Sequence, residues 1–210
     1  MISVSFLNSI YDKEKTIKLL NNIDDISYIH VDLMDGLYVD EKNFEIDEII
    51  NLLQSSKKDL DIHLMTLNPE KYIKELVKLN PKCITFHPDA VEKPKDVINL
   101  IKSNNINVGL AINSFIDIDS YETLYGDIDT LLIMSVKAGY GGQKFLSSTY
   151  DKLEYINSIK NEYNFLVEID GGVNKDIYMK LKEYNVDIYV IGSYICMNEN
   201  FERPLKELIK

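Results

Sequence analysis

The chain has 210 residues, 45% of them apolar, and a net charge of −11 at pH 7. That length carries one sizeable core and fits a single domain. The acidic balance argues against nucleic acid and anionic membranes as partners, while a small anionic substrate, which responds to local fields, stays open. No apolar run approaches the ~20 residues of a membrane helix. MISVSFLNSIYDKEK has no basic start and no long apolar stretch, so no signal peptide is expected. Cys83 and Cys196 belong to no CxxC motif, and two reduced structural thiols in a cytoplasmic protein are expected.

Strand-like apolar runs alternate with amphipathic helical ones. ISVSFL (2–7) reads as a strand, and 13–23 has helical spacing. YIHVDLM (28–34) is a strand, 46–53 is helical, and LDIHLM (60–65) is a strand. Asn68-Pro69-Glu70 opens the next helix, with Asn as N-cap and Pro in the first turn. CITFH (83–87), a helix over 94–103, VGLAIN (108–113) and a short helix over 119–124 follow. DTLLIMSV (129–136), a long helix over 149–162, FLVEID (165–170), a helix over 174–184, DIYVIG (187–192) and a last helix over 200–209 complete the chain. Strict βα alternation implies a parallel sheet. Eight strands and eight helices in about 200 residues predict a single (β/α)8 TIM barrel over 1–210, with an open doubly wound sheet as the alternative. No linker, charge block or low-complexity run marks a domain boundary.

In HVDLMDG (30–36), His30, Asp32 and Met34 share one face of the strand. An unpaired buried carboxylate is costly, so this face is wet or the Asp has a strong partner such as a metal. Active sites of βα barrels lie at the C-terminal strand ends. Those ends here carry Ser5 and Asn8; His30, Asp32 and Met34; Asp61, His63 and Met65; His87; Asn113; Met134 and Ser135; Glu168 and Asp170; and Gly192-Ser193. All three histidines fall at strand ends. One histidine there serves packing as readily as ligation. His30, Asp32, His63 and Asp170 together, on three strands, suit one divalent cation: zinc, or iron, manganese or cobalt. His87 reads as a packing or supporting residue.

Glycines let backbone N–H groups approach an anion closely. Gly139-Tyr140-Gly141-Gly142 follows the sixth strand, Gly171-Gly172 the seventh, and Gly192-Ser193 ends the eighth. Barrels often hold phosphate in the last loops. These turns therefore imply a phosphorylated substrate held by main-chain N–H groups, although tight turns need glycine anyway. Met34, Met65 and Met134 are either barrel core or a pliable cap that excludes water.

HVDLMDG, DIHLMTLNPEKYI, ITFHPDA, VGLAIN, MSVKAGYGGQKF, VEIDGGVN and the Gly192-Ser193 turn resemble, in order and spacing, the ribulose-phosphate 3-epimerase family. The resemblance implies an isomerase that interconverts D-ribulose 5-phosphate and D-xylulose 5-phosphate, in the pentose phosphate pathway. It implies a metal held by His30, Asp32, His63 and Asp170. Asp32 would take the C3 proton from one face and Asp170 would return one to the other. Ser5, His63, Gly139 to Gly142, Asp170, Gly171-Gly172 and Gly192-Ser193 would contact the phosphorylated ketose, and the three methionines would cap it. A homo-oligomer is implied as well. Leu37, Asp40, Asn113-Ser114-Phe115 and Ala138 depart from the family's usual residues, away from every metal or acid/base position, and bear on sugar choice. A D-allulose-6-phosphate epimerase and a non-catalytic phosphate-binding barrel are the alternatives. Hexulose-phosphate synthases and their decarboxylase relatives use a lysine in Asp-x-Lys-x-x-Asp at a strand end, which HVDLMDG and DIHLM lack.

Overall fold

Period-two alternation gives each strand two faces, and the computed structural model, which describes residues 1–209, shows what each face meets. The strands are β1 (Ile2–Ser5), β2 (Tyr28–Met34), β3 (Asp59–Met65), β4 (Cys83–Phe86), β5 (Asn107–Ile112), β6 (Thr130–Met134), β7 (Leu166–Asp170) and β8 (Ile188–Val190). They close in chain order into an all-parallel barrel. The helices are α1 (Lys13–Leu20), α2 (Ile46–Leu53), α3 (Pro69–Leu76), α4 (Pro94–Lys102), α5 (Thr149–Ile159), α6 (Lys175–Leu181), α7 (Ser193–Cys196) and α8 (Glu202–Ile209). This is the (β/α)8 barrel expected from the alternation.

The outward positions are aliphatic and fully buried. Ile29, Val31 and Leu33 of β2 and Ile62 and Leu64 of β3 join helix residues such as Ile17, Ile49 and Ile73 in one core. Each such side chain contributes about 1.5–3 kcal/mol by leaving water. Most inward positions deep in the barrel are small or polar, with Ser3, Ser5, His30, Asp32, Asp61, His63, Thr85, Thr130 and Glu168 all buried, while Met34, Met65, Leu132 and Met134 line the inner face nearer the mouth. The stability of the fold therefore comes from the layer between barrel and helices. The barrel's inside is free to carry chemistry.

Three local expectations change. The segment expected as a helix over 119–124 is a 3-10 stretch, Ile118–Asp127, kinked at Tyr121. The Asn68 side chain makes no capping bond, although Pro69 does open α3. The eighth strand is shorter than expected, and Ser193 starts the short helix α7. Elsewhere Asp12 and Asn174 cap α1 and α6 by accepting from Lys15 N and Ile177 N.

Gly109 pairs with Thr85 across β4 and β5, and an added Cβ would lie 1.9 Å from Thr85 Oγ1 and 2.7 Å from its Cβ. The barrel interior cannot widen to admit it. Gly109→Ala is expected to lower unfolding stability by about 1–3 kcal/mol through overpacking, read as a drop in denaturant midpoint. An unchanged midpoint would contradict this packing.

Candidate active site

Register assembles the site. Asp32 sits opposite His63, His30 opposite both Ser5 and Asp61, and Met34 opposite Met65. On the far side, β7 sets Asp170 opposite Met134. Going round through β1 and β8, β2 and β7 are three steps apart, so their side chains converge across the barrel mouth.

His30, Asp32, His63 and Asp170 offer ligand atoms that all lie within 4.8 Å of one another. His30 Nε2 is 3.4 Å from Asp32 Oδ1 and 4.0 Å from Asp170 Oδ2. His63 Nδ1 is 3.3 Å from Asp32 Oδ1 and 3.7 Å from Asp170 Oδ2. Four donors about 2.0–2.2 Å from a tetrahedral ion stand roughly 3.3–3.6 Å apart, close to these separations. His30 Nε2 is buried and makes no hydrogen bond among the described residues, which is how an unfilled ligand atom presents itself. The donor set and its spacing fit one metal ion.

The two carboxylates are electrically unlike. Burial works against the charge of Asp32, but His30 and then His63 override it and hold its carboxyl well below the usual range. Ser5 Oγ also donates to Asp32 Oδ2 at 2.8 Å. Asn43 clamps the strand end, donating to Asp32 O at 2.8 Å and accepting from Met34 N at 3.0 Å. Asp170 is pushed up to about 6 by burial and by the charge of Asp32. Like charges forced together separate in this way. Burial alone would lower His30, yet Asp61 and Asp32 hold it well above its ordinary value.

Asp32 and Asp170 open into a solvent-connected cavity also lined by Ser5, Gly139 to Gly142, Gly171, Gly172, Gly192 and Ser193. The three glycine turns thus meet on one wall. Ser135 Oγ, 2.8 Å from Asp170 O and 2.6 Å from Gly171 O, fixes the turn after β7. Met34, Met65 and Met134 line the same cavity and pack with Val136 and Ala138 in a cluster separate from the main core. His63, expected against the substrate, does not line the cavity; it lies fully buried beneath the carboxylates.

Further residues, of which Asn8, Asn113, Asp61 and Glu168 were expected at strand ends, surround the site. Asn8 packs under Gly141, where a Cβ would come 2.7 Å from its Nδ2. Lys137 is the one cationic side chain on the cavity wall among the described residues. Tyr38 donates to Asp89 Oδ2 at 3.0 Å, and Asn113 donates to both, tying the loops after β2, β4 and β5 together. One rung below the site, Ser3 Oγ donates to Asp61 Oδ2 at 2.7 Å beside Glu168. Burial and then Asp61 raise Glu168 well above the carboxylate range. Asp61 and Glu168 lie two residues before His63 and Asp170, and the same alternation marks them. Leu37 and Phe115 are 69% and 72% exposed and line none of this cavity, whereas Ala138 does.

A parallel barrel with a cluster of four groups that could hold a metal, and three glycine turns beside it at the C-terminal mouth, defines a class of barrel enzymes that work at that mouth. The chain matches the model of the Ribulose-phosphate 3 epimerase family over residues 1–196, and it belongs to that family. It is 35% identical over 195 residues to the ribulose-phosphate 3-epimerase of Helicobacter pylori strain J99, covering 91% of this chain and 89% of that one. It is 30% identical to the enzyme of that name from Bacillus subtilis strain 168, covering 86% and 84%. The 3-hexulose-6-phosphate synthase structure from Salmonella typhimurium superposes with a TM-score of 0.73 at 14% identity, covering 99% of this chain and 95% of that one, a likeness of fold alone.

Proposed function

We propose that the chain is an epimerase that interconverts D-ribulose 5-phosphate and D-xylulose 5-phosphate, a step of the pentose phosphate pathway. The observation that carries the reading is the pair Asp32 and Asp170, unlike in proton affinity and facing one cavity with a phosphate-sized wall of backbone turns. Inverting a carbon through a planar intermediate requires one acid/base group per face. Asp32, ionised and oriented by Ser5, takes the C3 proton from one side. Asp170, whose proton affinity burial and Asp32 raise to about 6, is the better proton donor of the two and delivers a proton from the other side. A divalent ion held by His30, Asp32, His63 and Asp170, zinc first and iron, manganese or cobalt next, would supply Lewis-acid polarisation of the C2 carbonyl. Met34, Met65 and Met134 cover the reacting carbon and exclude water. Main-chain N–H groups of Gly139 to Gly142, Gly171-Gly172 and Gly192-Ser193 receive the phosphate, with Lys137 beside them. That arrangement reconciles an anionic substrate with a chain of charge −11.

The names of the relatives favour the five-carbon ketose over the six-carbon alternative. So does the exposure of Leu37, one of the departures that raised the alternative, which lines neither this cavity nor the neighbouring one. A coupled assay should give a kcat/KM for D-ribulose 5-phosphate at least ~10-fold above that for D-allulose 6-phosphate. The reverse order would overturn the substrate assignment. The reading also places the enzyme in the cytoplasm as a one-domain homo-oligomer. No helix among the described residues is long and apolar enough to cross a membrane.

Metal uptake must displace the proton of Asp170, whose affinity lies at about 6, and the second proton of His30. Zinc affinity is therefore expected to climb with pH through the range in which His30 gives up its raised second proton, and to fall more steeply, by about a further 10-fold per pH unit, below about 6 where Asp170 protonates as well. Competition with a chromophoric chelator measures this. An affinity flat down to about pH 5 would contradict the ligand assignment.

A further inference from the structure

We propose that Lys137 is a specificity-determining residue, whose free ammonium draws the dianionic phosphate ester into a mouth that is otherwise acidic. The proposal rests on the phosphorylated-substrate reading above and deepens it by naming the side chain that supplies the long-range attraction.

Two cavities meet at the C-terminal mouth of the barrel, and Lys137 to Tyr140 form their shared wall. The first carries Asp32 and Asp170, and the second Asp40, Glu41 and Asp89. Lys137 is the one lysine or arginine on either wall among the described residues. A divalent ion would balance the charge of Asp32 and Asp170, but the acids of the second cavity would stay unbalanced. Against them comes a ligand whose phosphate carries about −1.5 to −2 at pH 7. The glycine turns offer it backbone N–H donors, which act at contact. They carry no net charge, and so do little at a distance to offset the acids or the chain's −11. A unit charge on the wall does act at a distance, over about 10 Å at about 0.1 M salt. The loop suits Lys137 to that task. Gln143 Nε2 donates to Lys137 O at 2.6 Å and to Tyr140 O at 2.7 Å, which folds 137–143 on itself and fixes the root of the side chain. Lys137 is exposed and forms no ion pair among the described residues, where Lys13, Lys42, Lys78 and Lys160 find carboxylates of their own. Its ammonium is thus free to meet an anion without breaking an internal ion pair.

Lys137→Gln removes the charge and keeps a polar side chain. At about 0.01 M salt, where the screening length is about 30 Å, this variant is expected to raise KM for D-ribulose 5-phosphate about 10-fold, with kcat within about 2-fold of wild type. At about 1 M salt, where that length is about 3 Å, the two proteins should agree within about 2-fold. Lys137→Arg keeps the charge and should keep the low-salt KM. Lys102→Gln is the matched control. Lys102 is exposed in the last turn of α4, at the end of the barrel where β5 begins, and the same loss of charge there should leave KM unchanged. Inorganic phosphate, titrated into each protein and followed by ³¹P NMR, should bind about 10-fold more weakly to Lys137→Gln at low salt, a readout that needs no turnover. A low-salt KM for Lys137→Gln within about 2-fold of wild type would overturn the inference and leave the epimerase reading in place. So would an equal rise in KM for Lys102→Gln, or a loss confined to kcat. A wild-type protein that binds phosphate through Lys137 yet leaves D-ribulose 5-phosphate unchanged would overturn the substrate assignment and uphold the role of Lys137.

Discussion

Asp170→Asn is expected to lower the rate of interconversion by at least about 10³-fold, and Asp32→Asn by as much. Loss of one acid/base group costs about 10²–10⁴ in rate. Each substitution also removes one of four donors from a buried cluster, so the effect should sit in the upper part of that range. The two variants should differ in a further respect. With zinc in excess, Asp170→Asn keeps the carboxylate facing one side of C3. Proton exchange at C3 should then survive, weakly, for only one of the two epimers, which ¹H NMR in D₂O reads with each epimer supplied separately. Asp32→Asn should spare the other epimer. Exchange persisting for both epimers, or a rate within tenfold of wild type, would mean that one carboxylate serves both faces.

Gly172→Ala should lower kcat/KM by about 100-fold, chiefly through KM. Gly172 has φ +63°, and its Cβ would lie 2.4 Å from Phe145 N and 2.8 Å from Gln143 O. Those are backbone atoms and cannot rotate aside. Relief requires the chain at 143–145 to shift, and that segment continues directly from Gly139 to Gly142 on the phosphate wall. A displacement of about 1 Å in a positioning element can cost about 10². A left-handed backbone adds about 1–2 kcal/mol for a residue with a Cβ, so a lower melting temperature should accompany the kinetic change. An unchanged KM would show that the turn after β7 does not hold the phosphate.

What the sequence made legible follows from one rule. Alternation along HVDLM and DIHLM assigns faces, and parallel pairing then sets Asp32 beside His63 without further information. The barrel, the four-donor cluster and the shared inward face of the methionines were readable for that reason. Alternation says nothing about height, however. Asp61 and Glu168 share the inward face with His63 and Asp170, and only the stagger of the closed barrel puts them one rung below the mouth. His63 is level with Asp32 in register, yet it is fully buried and off the cavity wall. Asn43 reaches back across 11 residues to grip the end of β2, and the pairing of Asn8 with Gly141 spans the whole ring. No local pattern announces either contact. The 3-10 stretch at Ile118–Asp127 failed differently: its short apolar spacing fits an α-helix, but the kink at Tyr121 is settled by packing.

The most direct test of the central claim is an assay of D-ribulose 5-phosphate epimerisation on wild-type protein, first stripped with a strong chelator and then titrated with zinc, iron, manganese or cobalt. Activity should fall at least ~100-fold on stripping and return in proportion to metal added, saturating at one ion per chain. A stripped protein, free of metal by elemental analysis and still fully active on this substrate, would contradict the account.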